Sequence, residues 1–319
     1  MVAAKLQDSA KYDQAEQHYK TLRAQAPDPE KRRDIDYELA KILLKRGDKA
    51  AALQAFLDIA KHKTKDNPGG KSLYEAARIV YEDDIPASLS LYEQTIIEYP
   101  EFIASDFSLT ALRIHYMREK QYDELLTVLD RLFLAVSTTN LSNHILFTRA
   151  KLYEEHLNDD NEALIAYRQL YYHCKGCSLA DDTSWQMAQI YIRHQHWEPA
   201  IQILKELAEK VKPSWFIGTY NSPRAGDARF LLGELNLIFI GDYKAADEQF
   251  KLYMKDFPNT TRSDDAAWNL VEIQRLAGTK RSYKKSLDDF IRTYPESRYI
   301  KTIQARADNT SSNASGKTP

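Results

Sequence analysis

Residues 225–258 read AGDARFLLGELNLIFIGDYKAADEQFKLYMKDFP. Gly226 and Asp227 give a polar start, and an apolar run then passes through Leu232 and Gly233 to Ile240. Gly241-Asp242 supplies turn chemistry. A second run carries Tyr243, Ala246, Phe250 and Tyr253 at helical intervals and closes on Phe257-Pro258, where proline ends a helix. The stretch therefore reads as two helices joined by a tight turn.

The same hairpin recurs along the chain. Tyr12, Lys49, Ile85, Tyr122, Asp160, Trp197, Tyr243 and Tyr283 each open a second helix, at spacings of 36 to 38 apart from two longer intervals of 46 and 40. Three residues on stand Ala15, Ala52, Ser88, Leu125, Ala163, Ala200, Ala246 and Ser286, all small except Leu125. Close crossing of two helices needs such residues. Seven residues on stand Tyr19, Phe56, Tyr92, Leu129, Tyr167, Leu204, Phe250 and Phe290, all large and apolar or aromatic. Offsets of three and seven share a helical face, so each copy carries one packing stripe. First helices are expected at about 30–46, 71–83, 102–119, 141–157, 179–196, 225–240 and 263–277, with 2–9 the remnant of another. Helices that each hide one flank and repeat at this period give an all-α solenoid.

Punctuation fits that scheme. Pro27, Pro100, Pro258 and Pro295 stop second helices, and Asn67-Pro68-Gly69-Gly70 reads as the strongest breaker. Residues 1–305 form one superhelical domain on this reading, and 306–319, rich in Asn, Ser and Thr, form a disordered tail. The interval of 46 holds an insertion at 212–224, and solenoid insertions emerge as loops, often on the binding face.

Leu232-Gly233, Ala246, Phe250 and Pro258 fill the L-G, A-x3-F and Pro positions of the tetratricopeptide signature, which the hairpin resembles. Arg229 and Asn236 depart from it, standing where the signature has Trp and Tyr. The resemblance implies a right-handed superhelix of about 7.5–8 hairpins, whose first helices line a concave peptide-binding groove. The junctions Tyr99-Pro100, Phe257-Pro258 and Tyr294-Pro295 also resemble those of bacterial cell-envelope tetratricopeptide proteins, of the outer-membrane assembly lipoprotein and Tol–Pal coordinator type. That likeness implies a periplasmic adaptor in envelope assembly. No Cys lies near Met1 to carry a lipid anchor, and residues 1–5 hold no apolar run for a signal peptide. The start inside a repeat reads as a mature fragment; a cytoplasmic location is the alternative.

Binding candidates follow from exposure and chemistry. Trp215, Phe216 and Tyr220 in the insertion combine aromatics with flanking Pro and Gly, as interaction hot spots do; the competing role is to cover the gap between neighbouring hairpins. Tyr37, His115, Asn143 and Arg229 stand on first helices, together with Trp185 and Trp268, which read as packing residues. His173-Cys174-Lys175-Gly176-Cys177 lacks the four tetrahedral donors zinc needs. His194 and His196, two apart, point in different directions on a helix. The cysteines read as inert and structural, with a disulfide as the alternative. The basic set Lys280, Arg281, Lys284, Lys285, Arg292, Arg298, Lys301 and Arg306 reads as the solvated outer side of a terminal repeat.

Enzyme chemistry finds no foothold: there is no phosphate loop, dinucleotide fingerprint, nucleophile elbow or H-E-x-x-H. No catalytic residue, cofactor or metal is expected. With 44 basic and 46 acidic residues and a net charge of -2, no global field draws nucleic acid. No run is long and apolar enough for a membrane span, which leaves peripheral envelope association open. The expected role is a non-enzymatic scaffold for a protein or peptide partner. A self-associating scaffold forming a homo-oligomer and a cytoplasmic peptide-binding co-chaperone are the alternatives.

Overall fold

The computed structural model describes residues 2–62, 65–174, 176–210 and 224–306, with side chains from residue 11 onward. The insertion at 212–223, with Trp215, Phe216 and Tyr220, and the tail at 307–319 lie outside the described residues. The chain divides into two compact units, Met1–Cys174 and Lys175–Pro319.

The first unit contains α1 (Val2–Gln25), α2 (Pro29–Arg46), α3 (Lys49–Ala60), α4 (Asn67–Val80), α5 (Ile85–Glu98), α6 (Ile103–Arg118), α7 (Tyr122–Val136), α8 (Leu141–Leu152) and α9 (Asp160–His173). The second contains α10 (Ala180–Arg193), α11 (Trp197–Ala208), α12 (Ala225–Leu235), α13 (Tyr243–Asp256), α14 (Ser263–Ala277) and α15 (Lys280–Thr293). Both α8 and α12 continue into one π-helical turn, at Tyr153–Leu157 and Asn236–Ile240. Among the described residues there is no strand. Within each unit a helix packs chiefly on its chain neighbours, and in the first also on its second neighbours, α2 on α4, α4 on α6, α5 on α7 and α6 on α8. That is the nearest-neighbour stacking of an all-α solenoid.

Six second helices open at the residue read from the sequence, and at four of them an aspartate cap fixes the start. Asp48, Asp84 and Asp242 each accept a hydrogen bond from the backbone N–H three residues on, at 2.9–3.0 Å, and Asp159 caps α9 in the same way. The stripe residues are then buried: Ala52, Ser88, Leu125, Ala163, Ala200 and Ala246 at offset three, and Phe56, Tyr92, Leu129, Tyr167, Leu204 and Phe250 at offset seven. Ser88 is tolerated there because its hydroxyl donates to the Ala77 carbonyl at 2.7 Å.

Three expectations are corrected. Residues 2–9 are not a separate remnant, since α1 runs unbroken through Tyr12. α15 opens at Lys280 rather than Tyr283, because Thr279 and Ser282 form a reciprocal capping box. Asn67-Pro68-Gly69-Gly70 is no breaker but the first turn of α4. Asp66 caps it, accepting from the Gly69 N–H at 2.9 Å, and Pro68 sits in the first turn, where its missing N–H costs nothing. The glycines are there for contact. A Cβ on Gly69 would stand 2.6 Å from the Tyr99 hydroxyl, and one on Gly70 3.2 Å from the Tyr99 Cβ. Tyr99 ends α5, is wholly buried, and donates to the Ala60 carbonyl at 3.2 Å. Phe257 at the end of α13 stands against Gly226 in the same manner. The aromatic–proline junctions are thus plugs that close the base of a hairpin.

Candidate functional site

In the first unit the first helices α2, α4, α6 and α8 present one continuous face. Tyr37 of α2 packs its ring 5.6 Å from that of Phe56, and Lys41 and Lys71 lie over it at 5.3 and 5.9 Å. Burial, with the Glu75 carboxylate adding to it, pushes the Tyr37 phenol up to about 12. Next along, Tyr74 of α4 lies between Tyr92 behind it (5.7 Å) and Phe107 of α6 beside it (5.8 Å). Asp106, adjacent to Phe107, bonds His144 Nδ1 of α8 at 2.5 Å. The face thus runs as an aromatic step followed by a polar step.

Helix α6 is apolar on two sides. Ala104, Leu109 and Leu112 are buried, whereas Ile103, Phe107 and Ile114 are exposed at i, i+4 and i+11, one stripe of the same helix. A second apolar stripe that faces water is what a partner covers. The sequence signal for it is present in those three residues, but nothing in the spacing says which of two apolar flanks faces the neighbours.

The expected binding residues fall differently. Tyr37 is on this face and half-buried, and Asn143, next to His144, is half-buried on α8. His115 is buried between helices: Tyr81 Oη lies 2.9 Å from its Nδ1, and the same hydroxyl accepts from Arg118 at 2.7 Å. Burial holds its pKa below the usual imidazole value. Folding then disfavours the proton, so its contribution is present above the unfolded value near pH ~6.5 and is lost as pH falls through the folded one. His115→Gln is expected to flatten the fall in thermal midpoint between about pH 7 and pH 5; an unchanged slope would place the acid sensitivity elsewhere.

Arg229, in the second unit, is buried too. It pairs with Asp256 and donates to the Ala208 carbonyl at 2.9 Å. Asn236, the other departure from the signature, is buried and donates to the Leu232 carbonyl at 2.7 Å. Trp268 is buried and stacks on Tyr299 at 4.8 Å, and Trp185 is half-buried with Arg224 over it at 5.5 Å. Both are packing residues, as their helical positions implied.

Cys174 and Cys177 form a disulfide rather than standing as free inert thiols. The rings of His194 and His196 lie 6.3 Å apart and near-parallel, not turned apart. Among the described residues no group of three His, Cys, Asp or Glu side chains is placed to hold a metal ion, and no helix is long and apolar enough to cross a membrane.

The family model described as tetratricopeptide repeat matches residues 5–68. That part of the chain, and that part alone, is matched to a tetratricopeptide repeat. The match takes in α1 to α3, where Tyr37 meets Phe56, and lies outside 225–258, where Arg229 and Asn236 depart from the signature. No curated protein matches the sequence. Among solved structures, the chain is similar to YrrB, described as a tetratricopeptide protein with an unusual peptide-binding site, at 14% identity and a TM-score of 0.43, over 73% of this chain and 99% of that one. It is similar to PilW, a type IV pilus biogenesis factor, at 14% identity and a TM-score of 0.39, over 85% and 98%. A tetratricopeptide repeat protein from Parabacteroides merdae gives 16% identity and a TM-score of 0.33, over 84% and 94%.

Proposed function

We propose that the chain is a non-enzymatic adaptor whose first-helix face in the first unit holds a segment of a partner protein. The observation that carries this is the exposed stripe Ile103, Phe107 and Ile114 beside Tyr74, bounded by the Asp106–His144 pair. An apolar strip rimmed by polar pairs suits a short peptide with one aromatic or branched anchor. Panning a displayed random-peptide library on the whole chain is expected to enrich such anchors. Phe107→Ser is expected to weaken the selected peptides by about tenfold or more, with helical circular dichroism retained. Equal affinity for Phe107→Ser would remove the site from α6.

We infer further that the partner belongs to assembly of a cell-envelope complex. The junction aromatics lend this less support than their resemblance implied, because Tyr99 and Phe257 are packing plugs. The Cys174–Cys177 bond is the better support, since such bonds persist in oxidising compartments. Fractionation of the producing cell tests it: recovery of the chain from the reduced cytosol would end the envelope reading.

One observation favours a second reading, self-association. Ile97, Leu134 and Tyr172 occupy offset twelve of three successive second helices and are all exposed, Leu134 by 77%. A row of that kind on neighbouring hairpins offers a self-complementary strip. Light scattering across a concentration range tests it, and a strict monomer throughout would sink it.

A further inference from the structure

The π-helical turn that ends α12 displays three consecutive apolar side chains to water: Ile238, Phe239 and Ile240 are 64%, 55% and 44% exposed. The turn itself does not require them. Its counterpart at the end of α8 has the same form, five π-helical residues followed by a left-handed residue, Asn158 in one case and Gly241 in the other. Both turns make the same internal contact. His156 stacks on Tyr122, the first residue of α7, at 5.0 Å, and Phe239 stacks on Trp197, the first residue of α11, at 4.5 Å. Yet the first turn reads Tyr-Glu-Glu-His-Leu and the second Asn-Leu-Ile-Phe-Ile. One fold of the backbone thus serves a polar and an apolar sequence, so the form of the turn and the ring stacking of Phe239 leave the exposed Ile238 and Ile240 unaccounted for.

Charge on the same edge indicates what accounts for them. The turns α10–α11, α12–α13 and α14–α15 each lead from a first helix into its second, so they line one edge of the second unit. Leu276, at the end of α14, adds an exposed apolar residue there. Lys244 opens α13 after Tyr243, and Lys280 and Arg281 open α15. All three are exposed, and among the described residues they form no ion pair. An exposed apolar tip on the same edge as exposed cations without an ion pair among the described residues suits an anionic lipid surface, which takes apolar side chains and basic side chains together. We propose that this edge docks on an anionic lipid bilayer, with Ile238, Phe239 and Ile240 entering the headgroup boundary and Lys244, Lys280 and Arg281 facing the lipid phosphates and carboxylates.

Sedimentation of the full chain with vesicles tests this. Vesicles of phosphatidylcholine containing about one-third phosphatidylserine are expected to carry the chain down, and pure phosphatidylcholine about tenfold less. The double variant Ile238→Glu/Phe239→His copies the polar turn of α8 and keeps a ring for Trp197 to stack on. It is expected to lower partitioning about tenfold. Lys280→Glu/Arg281→Glu changes only exposed residues and is expected to lower it comparably, most at low salt. Failure of the parent chain to sediment with anionic vesicles would overturn the proposal. So would equal partitioning of both variants with unchanged thermal midpoints. Concentration-dependent dimerisation of the parent, abolished by the tip variant in the absence of vesicle binding, would overturn it in favour of a second copy of the chain.

Discussion

Asp66→Ala is expected to cost about 3–5 kcal/mol of local stability in the first unit. Two mechanisms converge on this carboxylate. It is paired with Arg33, Nε to Oδ2 at 2.8 Å and Nη2 to Oδ1 at 2.8 Å, and both side chains are at least nine-tenths buried. Its Oδ1 also caps α4 through the Gly69 N–H. Alanine removes the cap, worth about 0.5–2 kcal/mol, and strands a buried guanidinium whose remaining partner is the Ile59 carbonyl at 3.0 Å. The second effect dominates, because an unpaired buried charge costs more than the pair contributes. Asp66→Asn separates the two: it keeps a capping oxygen and loses the charge, so it should recover only the cap. Arg33→Met/Asp66→Asn removes the stranded charge and should lie well above Asp66→Ala. Urea unfolding by circular dichroism, with amide exchange resolved on α3 and α4, reads the result, since a repeat array opens locally before it opens as a whole. A cost of Asp66→Ala below about 1 kcal/mol would show that the pair is solvated in solution.

That carboxylate also marks where reading the sequence stops. The hairpins were legible because Ala52, Phe56 and their counterparts recur at fixed offsets, and a periodic apolar face has few ways to be satisfied. Second-helix starts were legible for the same reason, with Asp48, Asp84, Asp159 and Asp242 confirming the register. The segment Asn67-Pro68-Gly69-Gly70 misled, because its glycines answer to Tyr99 some thirty residues on, and local breaker rules have no access to that contact. The binding face was partly legible. Tyr37 stands on the proposed face and Asn143 is half-buried on one of its helices, but His115 and Arg229 are polar residues that the fold satisfies internally, with Tyr81 and Asp256. A sequence shows that a helix carries polar groups; which of them find partners across 27 or 34 positions is decided by register. Ion pairs such as Lys49–Glu82 and Lys65–Glu98, each 33 residues apart, are likewise visible only once neighbouring repeats are in place.

Gly233 and Phe250 give the sharpest test of that dependence on register. Phe250 is wholly buried, with its ring 5.5 Å from that of Phe230, and Phe250→Ala is expected to cost about 3–5 kcal/mol. Gly233 lies inside α12, where alanine would ordinarily stabilise by about 1 kcal/mol. Here a Cβ would stand 2.7 Å from Phe250 Cζ, against a ring with no room to retreat. Overpacking of that kind costs about 1–3 kcal/mol, so Gly233→Ala should destabilise by about 1 kcal/mol net of the propensity gain. In the Phe250→Ala background the obstacle is gone. The same Gly233→Ala change should then stabilise, by helix propensity and by filling part of the cavity. The sign of one substitution therefore reverses with the identity of a residue on the next helix, and a double-mutant cycle on thermal or urea midpoints reads the coupling directly. Additive effects, or a stabilising Gly233→Ala in the parent chain, would mean that α12 and α13 do not approach as closely as the L-G and A-x3-F pattern requires, and the hairpin packing inferred throughout would have to be redrawn.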